Sequence, residues 1–165
     1  CHVGDVPKPA EHRDLLAQRV KRTRYFVANK AKVDAPEDTQ GQEEVGFRFF
    51  EGAAGGAILI GDLPDCETFR TLLDWDAAAF QLDYTSSDID GLLREMDAQP
   101  ERIARARRAS VIHSLRRHDW VYRWKTILER VGLPPMAAAQ EREQTLDALA
   151  RAVEDTSLTF DPERP

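Results

Sequence analysis

Apolar and polar positions follow one another along the chain in blocks that predict short buried strands between amphipathic helices. Residues 23–29 (TRYFVAN) are rich in aromatic and β-branched side chains, and residues 57–61 (AILIG) are apolar without alternation, so both segments predict buried strands. Residues 46–55 predict a helix between them, with a small face, GAAG, that allows close approach to a sheet. Strand, helix and strand in this order predict a βαβ unit, which is parallel in nearly all proteins.

The same periodicity predicts the remaining elements. We expect helices at residues 11–22, 67–73 and 136–154, and another strand at 77–84. Three more helices are expected, one after the cap residue Asp88, one that begins at Pro100 and one after Asp119. The apolar residues expected on their inner faces are Leu15, Leu16, Val20, Ile89, Leu92, Leu93, Met96, Ala104, Val111, Ile112, Leu115, Val121, Trp124, Leu128, Val131, Leu146, Leu149, Ala150 and Val153. Trp75, Trp120 and Trp124 are expected to be core aromatics, and the arginines from Arg102 to Arg108 to lie on a solvated helix face.

Composition adds limits to this α/β prediction. The 165 residues include 42% hydrophobic and 32% charged residues with a net charge of −6, which indicates a globular chain without a general attraction for nucleic acid. No apolar run approaches the roughly 20 residues of a membrane span, and we expect a cytoplasmic protein. The first residue is Cys1 and no targeting segment accounts for it, so we expect a fragment of a longer protein, with a domain at residues 1–133 and a helical extension and tail at 134–165.

Ligands of open parallel sheets bind beyond the carboxyl ends of the strands, here at Asn29-Lys30 and Gly61-Asp62. A helix that begins near Gly46 points its free N–H groups and its positive dipole end toward the same place, which suits a diphosphate. Glu43 lies in the loop before this helix, whereas Glu51 lies about a turn and a half inside it. Carboxylates accept hydrogen bonds from sugar hydroxyls, so the stretch predicts a nucleotide-sugar site.

The stretch EEVGFRFFEGAAGGAILIGDLPD resembles the donor-site signature of the group 1 glycosyltransferases, in which two glutamates flank seven residues with a glycine-containing turn. The resemblance extends over residues 23–133 and includes the R-F-F-E sequence that ends at Glu51. It implies the carboxyl-terminal, Rossmann-like domain of the GT-B fold, with a nucleoside-diphosphate-sugar as donor substrate, an unknown acceptor and no cofactor. By motif position Glu43 would contact the sugar catalytically and Glu51 the ribose, while Gly46 and Phe47 would lend backbone groups to the diphosphate.

This chain departs from the family pattern in three places. Better-characterised members have proline where this chain has Arg48 and alanine where it has Gly52, and the loop at residues 30–42 is longer than usual. Arg48 would add a cation for the phosphate or pair with a neighbouring acid. The amino-terminal acceptor domain and the first strands of the donor domain are missing, so the resemblance implies that this chain alone is inactive.

Other interpretations have less support in the sequence. Glu43 would otherwise be a surface acid that favours a helix start, and the D-x-D triplets at Asp74 and Asp88 are expected by chance in so acidic a chain, so we predict no metal. The four histidines form no recognised catalytic motif; we expect His113 to be partly buried and His118 to lie at a helix junction. A non-catalytic Rossmann-like module that binds a nucleotide or a partner is the alternative function. An oxidoreductase is disfavoured because no G-x-G-x-x-G follows a predicted strand.

Overall fold

Parallel strands form the centre of the computed structural model, which describes residues 9–156. Within that range three strands pair in the order β1-β2-β3, and Leu59 lies opposite both Phe26 and Ala79. The strands are β1 Tyr25–Val27, β2 Ile58–Gly61 and β3 Ala79–Gln81. The helices are α1 Pro9–Arg22, α2 Phe47–Ala54, α3 Glu67–Leu72, α4 Ile89–Asp97, α5 Pro100–His113, α6 Trp120–Arg130 and α7 Ala137–Asp155. A 3₁₀ turn, Pro36–Thr39, and a π turn, Ser114–His118, complete the list.

The predicted α/β class, a parallel Rossmann-like sheet flanked by helices, is confirmed. β1 and β3 are shorter than predicted, because Thr23 closes α1 through its bond to Arg19 O and a turn from Trp75 precedes β3. Pairing nevertheless continues beyond β1, since Lys30 N donates to Asp62 O at 2.8 Å. Cys1 and the tail beyond residue 156 lie outside the described residues.

The central strand β2 is buried on both faces, as its apolar run predicted. Leu59 packs on one side of the sheet with Phe49 of α2 and with residues that follow α3. Ile58 and Ile60 pack on the other side with Met96 of α4 and residues of α5. Burial of such a side chain contributes about 1.5–3 kcal/mol. The sheet is therefore a middle layer between α2 with α3 and α4 with α5.

The small face of α2 packs directly on the sheet. A Cβ at Gly52 would lie 2.4 Å from Leu59 Cδ2 and 2.8 Å from Phe26 Cδ1, distances that leave no room for a side chain. Gly55 meets Val20 of α1 in the same way, at 2.4 Å from Val20 Cγ1. The predicted close approach of this helix to the sheet is confirmed. It fixes α2 with its amino end at the carboxyl edge of the strands.

The predicted inner face of α5 is wrong. The fully buried residues of this helix are Ile103, Ala106 and Ser110, and the residues we expected inside, Ala104, Val111, Ile112 and Leu115, are only half-buried. α5 is covered on more than one side, because both the sheet and α7 pack against it. Its arginines are correspondingly not all solvated: Arg107 Nε donates to Gly56 O at 2.7 Å and Arg108 Nε to Val153 O at 2.9 Å.

The prediction that Trp120 and Trp124 are core aromatics is also wrong. Their exposed fractions are 71% and 57%, and Ile127 and Val131 continue the exposed row. α6 instead turns Val121 inward and is tied to α7 by Lys125 and Glu143 at 2.9 Å. The apolar stripe at helical spacing therefore faces away from the described core. Trp75, also expected in the core, is partly buried against it, with its ring stacked on His113.

α7 packs back against α5 and the π turn through Leu146 and Ala150, which are buried as predicted. Leu149 is exposed and Val153 only half-buried, because the segments packed against α7, namely α5, the π turn and α6, leave part of its surface uncovered. Ile89, at the start of α4, is likewise exposed rather than buried. The proposed division of the chain at residue 133 stays a prediction.

Candidate functional site

The carboxyl ends of β1 and β2 are joined by a small network of polar contacts. Asn29 Oδ1 accepts a hydrogen bond from Asp62 N at 2.9 Å, beside the backbone bond from Lys30 N to Asp62 O. Gly61 makes this approach possible, since a Cβ there would lie 2.2 Å from Ala28 O. The side chains of Lys30 and Asp62 consequently leave the sheet next to each other.

Glu43 lies at this edge, where the sequence placed it, and contacts the segment that follows each of the two strands. Its Oε1 accepts a hydrogen bond from Lys30 Nζ at 2.9 Å, and Lys30 Nζ lies 3.4 Å from Asp62 Oδ1. The side chains of Lys30 and Glu43 are each 27% exposed, so solvent screens their attraction only in part. The hydrogen bond from Lys30 lowers the pKa of Glu43, and the same bond raises the pKa of Lys30. The Glu43 carboxylate is accordingly ionised at neutral pH.

The second oxygen of Glu43 accepts a hydrogen bond from the backbone N–H of Asp65, in the loop between β2 and α3. This bond also lowers the pKa of Glu43. Sequence reasoning missed Lys30 and Asp65 as partners of Glu43, since they lie 13 and 22 residues away. The available signal was the position of charged residues directly after predicted strands, where parallel sheets collect polar side chains.

The amino end of α2 is open. Gly46 is its N-cap residue, with φ −63° and ψ 152°, and no side chain caps the helix. No described atom lies within 4 Å of a Cβ built at Gly46. Phe47 in the first turn is 69% exposed. The first backbone N–H groups of a helix have no intrahelical acceptor, so this end offers donors to a ligand.

Arg48, also in the first turn of α2, is exposed and forms no ion pair with another residue of the described range. Of the two roles that the sequence left open for it, pairing with a neighbouring acid is therefore not found within residues 9–156. Its guanidinium is available to an anion at the amino end of α2, where the helix dipole acts in the same direction. Arg48, Gly46 and Phe47 thus share one end of one helix.

Glu51 lies on α2 and is partly buried. Its Oε2 atom is shielded from solvent and has no hydrogen-bond partner among residues 9–156. Leaving a shielded carboxylate oxygen without a hydrogen-bond donor costs free energy, so nearly all such atoms in native proteins have a hydrogen-bond partner. The neighbouring Phe50 is held by the ring of His118 at 5.1 Å and by the guanidinium of Arg123 at 5.6 Å. These contacts fix the part of α2 from which Glu51 projects.

A polar cleft of about 340 Å³ opens in the long loop between β1 and α2, on the amino-terminal side of Glu43. Its walls are formed by Ala31, Lys32, Asp38, Thr39, Gln40, Gln42 and Glu44. Lys32 and Gln40 have positive φ angles of 54° and 52°, and the ion pair of Lys32 with Asp38 closes the loop on itself.

The other candidate residues have structural roles. Asp88 caps α4 by accepting a hydrogen bond from Gly91 N, and Asp90 lies in the first turn, as the sequence predicted. His113 is partly buried and burial lowers its pKa; burial lowers the pKa of His118 at the helix junction to about 4. In the part of the chain that the structure covers, no three His, Cys, Asp or Glu residues are arranged to hold a metal ion. No helix there is long and apolar enough to cross a membrane.

Comparison with known protein families adds an independent finding. Residues 7–129, about three quarters of the 165 residues, match the family described as glycosyl transferase-like. The chain therefore belongs to the glycosyl transferase-like family, and the resemblance to group 1 glycosyltransferases is confirmed. Neither curated proteins nor solved structures gave a significant match. The individual roles assigned to Glu43, Glu51, Gly46, Phe47 and Arg48 stay predictions.

Proposed function

We propose that this chain forms the donor-binding part of a glycosyltransferase that moves a sugar from a nucleoside diphosphate to an acceptor. The observation that carries the proposal is the position of Glu43 at the carboxyl edge of the sheet, a few residues before the uncapped amino end of α2. Membership of the glycosyl transferase-like family supports the reaction class. A separate amino-terminal domain of the full-length protein would supply the acceptor site, and we propose a cytoplasmic location.

The charges at the carboxyl edge support separate binding places for the sugar and for the diphosphate of the donor. Three acids, Glu43, Asp62 and Asp65, lie there with two cations, Lys30 and Arg70, that are already paired to them. A diphosphate directly over these acids would be repelled. The amino end of α2 avoids this repulsion because its N–H groups and dipole favour anions. The diphosphate would bind at Gly46 and Phe47, with the sugar hydroxyls toward Glu43.

Glu51 would bind the ribose of the same donor. Its position inside α2 separates it from Glu43 by more than a helical turn, as the distance between a ribose and a transferred sugar requires. Vicinal hydroxyls are good donors to an ionised carboxylate, and the shielded Oε2 atom lacks any protein donor among the described residues. Because Oε2 is closed to solvent in this structure, the Glu51 side chain would turn toward the donor on binding, and the ribose would then supply this missing partner.

These residues would position the donor and stabilise the leaving diphosphate. Oriented backbone N–H groups and Arg48 would stabilise the negative charge that develops as the glycosidic bond to the diphosphate breaks. We propose that no metal ion or other cofactor takes part, because these donors can take over charge stabilisation at the diphosphate. Glu43 would hold the sugar through its hydroxyls while the acceptor attacks.

Calorimetry tests this proposal on the full-length protein, titrated with UDP, GDP and their hexose conjugates. The variant Glu51→Gln should weaken donor binding by about 10- to 100-fold, as expected for loss of a hydrogen bond to a charged group. Glu141→Gln, at an exposed position on α7, removes the same charge away from the site and should leave affinity unchanged. Absence of binding for every nucleotide tested, or full activity in Glu51→Gln, would refute the proposal.

A non-catalytic binding module is the second candidate function, and one observation favours it. The exposed row Trp120, Trp124, Ile127 and Val131 on α6 is a surface of the kind that contacts other macromolecules. Under this alternative the protein would bind nucleotide without sugar transfer. Hydrolysis or transfer of the donor sugar, followed by chromatography of the nucleotide products, distinguishes the two functions.

A further inference from the structure

Lys30 is the side chain that links the two strand ends to the loop carrying Glu43. Its Nζ donates to Glu43 Oε1 at 2.9 Å and lies 3.4 Å from Asp62 Oδ1, while its own backbone N–H pairs with Asp62 O. The side chains of Lys30, Glu43 and Asp62 are 27%, 27% and 17% exposed, which makes this the most shielded group of charges at the carboxyl edge. The main chain of Lys30 is thus anchored where strand pairing continues beyond β1, and its ammonium is held by two carboxylates.

Both oxygens of Glu43 are thereby fixed by the protein. Oε1 is bonded to Lys30 Nζ and Oε2 to the N–H of Asp65. An ionised carboxylate has about four lone-pair sites, so one site on each oxygen stays available. Two remaining acceptor sites on one rigid carboxylate match two hydroxyls on neighbouring carbons of a sugar ring. A carboxylate that rotated freely would lose this match.

We propose that Lys30 is a positioning residue, which orients Glu43 to receive a vicinal diol of the transferred sugar; this inference rests on the proposed function. Lys30 acts through Glu43 and does not touch the reacting atoms. The substrate class that follows is a nucleoside-diphosphate hexose with adjacent free hydroxyls. A deoxy sugar that lacks one of these hydroxyls would lose the benefit of the fixed carboxylate.

Other charges face this pair from every neighbouring loop. Asp62 shares the ammonium, Asp65 lies beside Glu43 but is itself paired with Arg70, and Asp83 after β3 also feels the charge of Lys30. Removal of Lys30 would therefore leave Glu43 among acids of like charge. The pKa of Glu43 should then rise, because its largest stabilising contact is gone. This titration reports directly on the contact between Lys30 and Glu43, and the comparison of two ligands then tests the positioning role.

The first measurement is the side-chain carboxyl pKa of Glu43 by ¹³C NMR, assigned by loss of its signal in Glu43→Gln. Wild type should titrate below the ordinary range of glutamate, Lys30→Met should titrate higher, and Lys30→Arg should stay low because it keeps a cation. Lys30→Gln is made as a second neutral variant, and the neutral variant whose circular dichroism matches wild type is used. An unchanged pKa in the folded neutral variant, or failure of both neutral variants to fold, overturns the proposal.

The second measurement compares two ligands in calorimetry, a nucleoside diphosphate and its hexose conjugate. The neutral Lys30 variant should bind the conjugate about tenfold more weakly, as expected for loss of one well-oriented hydrogen bond, and bind the free diphosphate as wild type does. Lys30→Arg should restore most of the difference. Equal weakening of both ligands would contradict a positioning role. Wild type that binds neither ligand would refute the proposed function itself, whereas wild-type affinity for both ligands in the neutral variant would refute only the role of Lys30.

Discussion

Gly61 offers the sharpest test of how the site is built, because its missing side chain lets β1 and β2 close together beside the charged residues. In Gly61→Ala the new Cβ would lie 2.2 Å from Ala28 O and 2.5 Å from Asn29 Oδ1. Non-bonded heavy atoms pack at about 3.5 Å, so the backbone of β1 must move by roughly 1 Å. A backbone atom cannot rotate away as a flexible side chain could.

The expected cost follows from two contributions. Overpacking of a tight contact costs about 1–3 kcal/mol. Displacement of Asn29 also removes its hydrogen bond to Asp62 N, which contributes about 1 kcal/mol. The free energy of unfolding should therefore fall by about 2–4 kcal/mol. For a chain of this size that corresponds to a decrease in melting temperature of roughly 5–15 °C.

Thermal unfolding followed by circular dichroism measures this effect. Gly46→Ala is the matched control, since its Cβ meets no described atom within 4 Å and its φ of −63° suits any residue. The control should lower the melting temperature by no more than about 2–4 °C, because its Cβ makes no clash and alanine at an N-cap costs about 1 kcal/mol relative to glycine. A Gly61→Ala protein that melts with wild type would show that the close contact of β1 and β2 at this point is not as described.

Two further predictions concern His118 and the tryptophans. Because burial lowers the pKa of His118 from 6.5 to about 4, the unfolded chain takes up a proton first as the pH falls, so stability is complete above pH 6.5 and is lost toward pH 4. Urea unfolding should show a loss of about 1–2 kcal/mol between pH 7 and pH 5 that is smaller in His118→Phe; an equal loss in both proteins would argue against a buried neutral ring. Acrylamide should quench Trp120 and Trp124 readily and Trp75 poorly, so Trp75→Phe should remove the least quenched fluorescence. Strong quenching of all three tryptophans would contradict the stacked position of Trp75 on His113.

The exposed apolar row on α6 shows how far a hydrophobic pattern can be interpreted. Its spacing predicted an amphipathic helix, and the helix is present. Val121, which is buried, and Trp124, which is exposed, each belong to an apolar stripe along α6. The pattern therefore could not say which of the two stripes faces inward. That choice depends on α7, which pairs Glu143 with Lys125 and so fixes the rotation of α6.

Features that act between neighbouring residues of the sequence were sufficient to predict much of the fold and the location of the site. The apolar run of β2, the small face at Gly52 and the cap at Asp88 each act within a few residues, so they predicted their elements correctly. The position of Glu43 beside the amino end of α2 followed from the βαβ order alone. These features are set by backbone geometry and by contacts between neighbouring residues.

Only the tertiary structure decided the electrostatic arrangement of the site. The pairing of Glu43 with Lys30 and with the N–H of Asp65 joins both ends of the loop between β1 and α2 to the loop between β2 and α3, and no periodicity in the sequence records which loops meet. Likewise, the buried face of α5 depends on both the sheet and α7. Hydrophobic periodicity determines that a segment has an inner face, whereas the packing of distant segments determines which face it is and which charges become partners.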